Sequence, residues 1–195
     1  MAAVNSRADV IKSPAATDLD LARDAFRAAV TRLAPDVWRV LRRCRVRDGD
    51  IDDAQQMVFI HMHRKWAQLG ALDARALRAY VLCIATGTAR EIGRGWARRA
   101  RNEDALESEP PPAVATPQDT LERKESCALV DRVLEAMDDE RREVFVLYEL
   151  QELSGREIAE HLGIPAGTVA SRLRAAREQF ERMVAELGPE RGASR

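Results

Sequence analysis

Cysteine is scarce in these 195 residues. Cys44, Cys83 and Cys127 are odd in number, far apart and never in a C-x-x-C pair. That excludes a disulfide framework and a thiolate zinc site, and it points to a reducing compartment. Aromatic residues are only 5% of the chain, and glycine is rare outside turns. The apolar residues are mostly Ala, Leu and Val, so the expected fold class is all-α. No apolar run approaches membrane-spanning length, and the N-terminus lacks the apolar core of a signal peptide. The expectation is a soluble cytoplasmic protein with no membrane partner. An excess of charge of either sign is also missing, since the formal net charge is −1. Its distribution is uneven, however. Residues 17–101 carry 17 Lys/Arg against 10 Asp/Glu, a net +7, whereas 102–126 carry 2 against 7 and 127–187 carry 8 against 13, each a net −5. A neutral total can therefore hide a basic surface on one part of the molecule.

What is present is clearest between Ser154 and Phe180. Ser154 and Glu157 have the spacing of a capping box. Ile158, Ala159 and Leu162 make a short apolar face, and Gly163 can take the positive φ that ends a helix. Pro165 suits the first turn of the next helix. Val169, Leu173, Ala176, Phe180, Val184 and Leu187 then recur at steps of three and four, which is a helical stripe. The opposite face holds Gly167, Ser171, Arg174 and Ala175, with Arg172 and Arg177 on its flanks. Helix, tight turn, and a second helix with a small and basic free face is the helix-turn-helix pattern of a DNA reader.

The rest of the chain divides into two folded parts. Residues 1–16 are expected to be disordered, as is the tail 188–195. A first helix starts near Thr17–Asp20 with the stripe Phe26, Val30, Leu33, Val37 and Leu41, and Pro35 predicts a kink or break near Ala34. A second runs from Asp50 to Trp66 with Ile51, Ala54, Val58 and Met62 inward. His61 and His63 invite a metal-dependent enzyme as one alternative, but two residues apart on a helix they share no face. A third helix runs from Ala74 through Trp96, with Leu77, Val81, Ile84 and Thr88 inward. Gly87, Gly93 and Gly95 lie inside it and suggest close approach of another backbone, or fraying. Its second half is basic, with Arg90, Arg94, Arg98, Arg99 and Arg101 around Trp96. That serves equally as a solvated face or as a site where rings stack on bases and guanidiniums hold phosphates. Residues 102–120, acidic and carrying Pro110, Pro111 and Pro112, read as a linker. A helix from Asp119 to Met137, then an Asp138–Asp139 cap and a helix from Arg141 to Leu150, precede the helix-turn-helix.

Two segments, in this order, resemble the RNA polymerase sigma-70 family and its small extracytoplasmic-function (ECF) group. Met137-Asp-Asp-Glu-Arg-Arg-Glu-Val-Phe-Val-Leu followed by Ser154 to Arg177 looks like sigma region four almost throughout. Asp50-x-x-Asp53-x-x-Gln56-x-Val58-Phe59 resembles region 2.2. Arg78 to Ala85 and the arginines after it resemble regions 2.3 and 2.4. The resemblance implies two small helical domains, region 2 over 17–101 and region 4 over 121–187. It implies core RNA polymerase, through its clamp helices, and promoter DNA as partners, with an anti-sigma factor as a partner common in the group, and no cofactor and no enzymatic activity.

By position, Asp53, Gln56 and Met57 would face the polymerase, Met57 standing where an acid is common. Tyr80, Arg90, Glu91, Arg94, Trp96 and Arg98 would recognise and open the −10 element. Thr168, Ser171, Arg172, Arg174 and Arg177 would read the −35 element in the major groove. The linker would thread through the polymerase cleft, although a solvated spacer has the same composition. There are departures. Where the family often reads Ile-Ala-Arg-Asn, this chain reads Ile84-Ala85-Thr86-Gly87, and Ala170 stands where many members carry an arginine. The alternative within DNA binding is a helix-turn-helix regulator that acts without polymerase.

Overall fold

The computed structural model describes residues 16–102 and 121–187, with side chains over 20–98 and 127–186. Residues 1–15, 103–120 and 188–195, nearly all of the linker and the termini read as disordered, lie outside the described residues, as do the side chains of Arg99, Arg101 and Leu187; Ala16 and Asn102 belong instead to helices. The N-terminal half holds α1 (Ala16–Arg43), a 3-10 turn, α2 (Ile51–Arg64), the single turn α3 (Trp66–Leu69) and α4 (Ala74–Asn102). The C-terminal half holds α5 (Leu121–Ala136), α6 (Asp139–Phe145) running on through a wide π turn (Val146–Leu150), α7 (Gly155–Leu162) and α8 (Ala166–Leu187). No strand occurs among the described residues.

In the N-terminal half α1, α2 and α4 pack on one another. Leu33, Val37 and Leu41 of α1, Val58 and Met62 of α2, and Val81 and Leu82 of α4 are sealed in its core. Each comes from a stripe at helical spacing, and burying such a side chain stabilises by about 1.5–3 kcal/mol. That is enough to overrule two local signals. Pro35 does not break α1, which runs unbroken from Ala16 to Arg43. The proline costs one backbone bond, but Leu33 and Val37 on either side of it are buried, and the Ala34 carbonyl accepts from Gln55 Nε2 at 2.7 Å. Gly87 and Gly93 do not mark a close approach either. A Cβ built on each meets nothing within 4 Å, and α4 continues through both.

The C-terminal half is organised by Arg142, a guanidinium only 2% exposed. Its Nε donates to the Leu134 carbonyl at 2.6 Å, a second nitrogen donates to the Met137 carbonyl, and the third meets Asp139 at 2.8 Å. The Leu134 carbonyl near the end of α5, which otherwise takes only a long 3.3 Å bond from the Met137 N–H, and the Met137 carbonyl just beyond the helix are thereby satisfied from α6. Asp138 caps α6 by accepting from the Arg141 N–H at 2.9 Å. Val144 and Leu147 are buried beside Phe145, whose ring stacks on Phe180 of α8 with centroids 5.1 Å apart.

The two halves are packed together, with α4 against α7 and α1 against the π turn.

Candidate nucleic-acid interface

Ser154 opens α7 with the predicted capping box. Its hydroxyl donates to Glu157 Oε2 at 2.6 Å and accepts from the Glu157 N–H, while its own N–H donates to the same carboxylate at 2.8 Å. Gly163 ends the helix at φ 66°. α8 then buries Val169, Leu173 and Ala176 and leaves Gly167, Ala170, Ser171 and Arg174 outside.

The arginines of α8 are not equivalent. Arg172 is drawn back onto α6, 2.5 Å from Glu140. Arg177 lies 2.6 Å from Glu149 and over the Tyr148 ring. Arg174 is 80% exposed, and its only ion pair among the described residues is a long 3.8 Å one to Glu178. Ser171 is exposed and donates to the Thr168 carbonyl at 3.0 Å, while Thr168 is half-buried. The geometry brings Ser171 and Arg174 to one open face and ties Arg172 and Arg177 to its edges.

The basic segment of α4 also splits. Glu91, Arg94 and Arg98 are exposed and line one open hollow with Ala97. Trp96 is half-buried under the Arg47 guanidinium, 4.5 Å from the ring centroid. Tyr80 and Arg90 turn the other way, towards the C-terminal half. Tyr80 meets the edge of His161 at 5.7 Å and lies under Lys65, and Arg90 Nη1 is 3.2 Å from Glu143. Arg47, Arg90, Trp96 and Glu143 are among the walls of a cleft of about 380 Å³ between the halves.

On α2, Asp53, Gln56 and Met57 form an exposed stripe, and Ile60 extends it at 43% exposure. Sequence reasoning missed Ile60, although its spacing from Met57 and Asp53 was the available signal. The histidines diverge: His61 Nδ1 is 3.0 Å from the Met57 carbonyl, and His63 meets the edge of Phe26. Among the described residues no three metal-ligating side chains cluster, and no described helix is long and apolar enough to cross a membrane.

Glu157 joins the halves at the start of α7. Arg75 of α4 donates to its carboxylate at 3.0 Å. That bond, with the Ser154 side chain and backbone bonds, holds Glu157 down to about 2. A depressed carboxylate contributes stability that is present above its unfolded value and lost as pH falls through the folded one. The α7 cap should therefore hold at neutral pH and loosen between about pH 4.5 and 2. Carboxyl carbon NMR should find Glu157 titrating below the other glutamates, with Arg75→Ala moving it upward. A Glu157 titration superimposed on the exposed glutamates would refute the assignment.

Residues 29–102 match the family model for sigma-70 region 2, and residues 127–190 match that for sigma-70 region 4. The ECF RNA polymerase sigma-E factor of Escherichia coli K12 is 30% identical over 175 residues, covering 84% of this chain and 88% of that protein. The sigma-E factor of Haemophilus influenzae is 29% identical over 173 residues, covering 85% and 90%. Among solved structures, the sigma factor RpoE of Bartonella quintana, crystallised with the anti-sigma factor NepR, aligns with a TM-score of 0.67 at 17% identity, covering 82% of this chain and 96% of that one. CnrH, in complex with the cytosolic domain of CnrY, aligns at 0.60 and 20%, covering 87% and 97%. At those identities the two structures speak for the fold.

Proposed function

The chain belongs to the sigma-70 family, in its extracytoplasmic-function group, and from that premise we propose that it binds core RNA polymerase and directs it to promoters. It works as a cytoplasmic initiation factor and breaks no covalent bond. Residues 17–101 supply polymerase docking and the −10 contacts, and residues 121–187 supply the −35 contacts. The observation that carries this reading is one chain presenting two helical units, one with an exposed Asp53–Gln56–Met57 stripe beside a basic helix, the other a helix-turn-helix with an open face at Ser171 and Arg174.

A regulator acting without polymerase would leave the α2 stripe without a use. The acidic C-terminal half also opposes DNA binding on its own through its long-range field. Tethering both units to core enzyme supplies the missing affinity, because the second contact becomes intramolecular. The anti-sigma partner of the Bartonella relative extends the same expectation to this chain.

The test is in vitro transcription with purified core enzyme on a promoter library, joined to one variant. Asp53→Ala with Gln56→Ala should weaken core binding about 10-fold, the order expected when polar contacts at a partly exposed interface are removed, with the helical circular dichroism intact. Unchanged affinity in a pull-down would remove the docking assignment.

A further inference from the structure

Nothing inside the protein requires the glycine at position 93. Glycine is unfavourable in a helix interior, and a Cβ built on Gly93 meets nothing within 4 Å. The residue opens instead onto the cleft of about 380 Å³. Arg90 stands three residues before it and Trp96 three residues after, and residues at that spacing share a helix face. On this side α4 therefore presents an arginine, a bare stretch of backbone and an indole in a row. Arg45 and Arg47, from the turn between α1 and α2, and Asp139, Arg142 and Glu143 of α6 stand in the same walls. Hydrogen bonds fix those walls. Thr86 Oγ1 donates to Glu143 Oε1 at 2.7 Å, and Arg78, further back on α4, donates to the Gln151 carbonyl at 2.9 Å. A preformed hollow of this volume falls in the usual range of small-molecule sites, about 300–1,000 Å³.

The charge in the cleft is unbalanced. Four guanidiniums face two carboxylates, and both carboxylates are spent within the protein. Asp139 is paired with Arg142 at 2.8 Å, while Glu143 accepts from Thr86 and lies 3.2 Å from Arg90. Arg142 is spent as well, on the Leu134 and Met137 carbonyls. Arg45 and Arg47 are left over. Both are exposed, and neither has an ion pair among the described residues. The Arg90 Nε is buried without a hydrogen-bond partner there. The surplus is felt inside, since burial pushes the Arg142 pKa down and the Arg45 charge adds to that fall. Arg47 is held in place, its guanidinium over the Trp96 ring at 4.5 Å from the centroid. A guanidinium kept flat on an indole retains its N–H edge for an anion, and that edge matches two phosphate oxygens. Bare helix backbone beside the stack lets a flat ring approach closely.

We propose that this cleft binds a free nucleoside monophosphate, with the phosphate on Arg45 and Arg47 and the base against α4 at Gly93, beside the Arg47–Trp96 stack. Two unspent guanidiniums match a phosphomonoester, which carries about −1.5 to −2 charges near neutral pH. The site itself is independent of the sigma-70 reading. Its consequence rests on that reading: Arg90 and Trp96 also belong to the −10 set, so a bound nucleotide and the promoter strand compete for them.

The test titrates the full-length protein with AMP, GMP, CMP and UMP by isothermal calorimetry and follows the thermal midpoint. Inorganic phosphate and a short single-stranded DNA are the comparison ligands. At least one nucleotide should bind with a Kd of about 1 mM or tighter, more tightly than inorganic phosphate, and should raise the midpoint. Arg47→Ala should weaken that binding about 10-fold, the loss expected for one charge-assisted contact. Gly93→Leu should abolish it by filling the bare stretch. The midpoint of ligand-free Gly93→Leu should be unchanged or higher, because a helical glycine is replaced where a Cβ meets nothing, so lost binding is then not lost fold. Should that midpoint fall, Arg47→Ala, on an exposed side chain, decides alone. Absence of binding for all four nucleotides, binding no tighter than that of inorganic phosphate, or binding unchanged in Arg47→Ala would overturn the site. Binding of the single strand alone would overturn it too, assigning these arginines to the −10 contacts only. None of these results touches core-enzyme binding, whereas failure of wild type to support transcription with core enzyme would strike the sigma-70 reading and leave the nucleotide titration standing.

Discussion

Arg142→Met should lower the stability of the protein by about 3 kcal/mol, read as a drop in thermal midpoint of roughly 6–12 °C for a chain of this size. Methionine fills similar space, so the loss is not chiefly that of a cavity. It comes from the Leu134 and Met137 carbonyls, which accept from the guanidinium inside the protein. A buried acceptor left without a donor costs about 1–3 kcal/mol; the Met137 carbonyl is left so, and the Leu134 carbonyl keeps only the Met137 N–H at 3.3 Å. The Asp139 pair contributes less, because Asp139 is half exposed and pairs near water are worth little. Burial pushes the Arg142 pKa down, so the site tolerates the charge only because the donors are used. Arg142→Lys should recover part of the loss, since one ammonium cannot span both carbonyls with the planar fork of arginine. A loss below about 1 kcal/mol in Arg142→Met would mean that water takes over both carbonyls, and the guanidinium would then not be what closes α5.

Arg142 was not legible in the sequence, and the reason is general. In Asp138-Asp-Glu-Arg-Arg-Glu143 every residue looks solvated, and periodicity says only which positions share a face. That two of these six, Arg142 and Glu143, are buried depends on what the rest of the chain lays over them. Local signals fared better. The Ser154 cap, the Gly163 terminus and the stripe Val169–Leu173–Ala176 are settled within one or two turns, and all three are realised. Pro35 shows the limit in the other direction. Its breaking tendency is a few kcal/mol, and the buried side chains around it contribute more. The exposed α2 stripe followed from the inward stripe by subtraction. The partners of Thr86, Arg78 and Arg75 did not, for they lie 57 to 82 residues away, and no pattern of period 3.6 names a distant partner.

The same distinction separates the arginines of α8. By sequence Arg172, Arg174 and Arg177 are all candidates, with Arg174 on the free face and the other two on its flanks. In the folded protein Glu140 and Glu149 neutralise the first and the last, so a contact made by either must first give up an ion pair. With Ala170 offering no polar group, the open face rests on Ser171 and Arg174.

Arg174→Ala should therefore reduce transcription from the cognate promoter about 10- to 100-fold, the range expected for one good base contact of about 1–3 kcal/mol. Two comparisons decide what kind of contact it is. A base reader loses its effect once the −35 sequence is scrambled, because the wild type then has nothing left to gain from it. A phosphate contact weakens both promoters alike, since phosphates position the protein and carry no sequence. Arg172→Ala and Arg177→Ala should cost less than Arg174→Ala, because each also releases a carboxylate partner whose pairing the wild type must break on binding. Equal losses for all three arginines would show that the ion pairs to Glu140 and Glu149 open freely at the promoter, and Arg174 would lose its special place. An Arg174→Ala loss that persists unchanged on the scrambled −35 promoter would move the residue from reading to anchoring, leaving Ser171 as the one exposed polar side chain on that face positioned to meet a base edge.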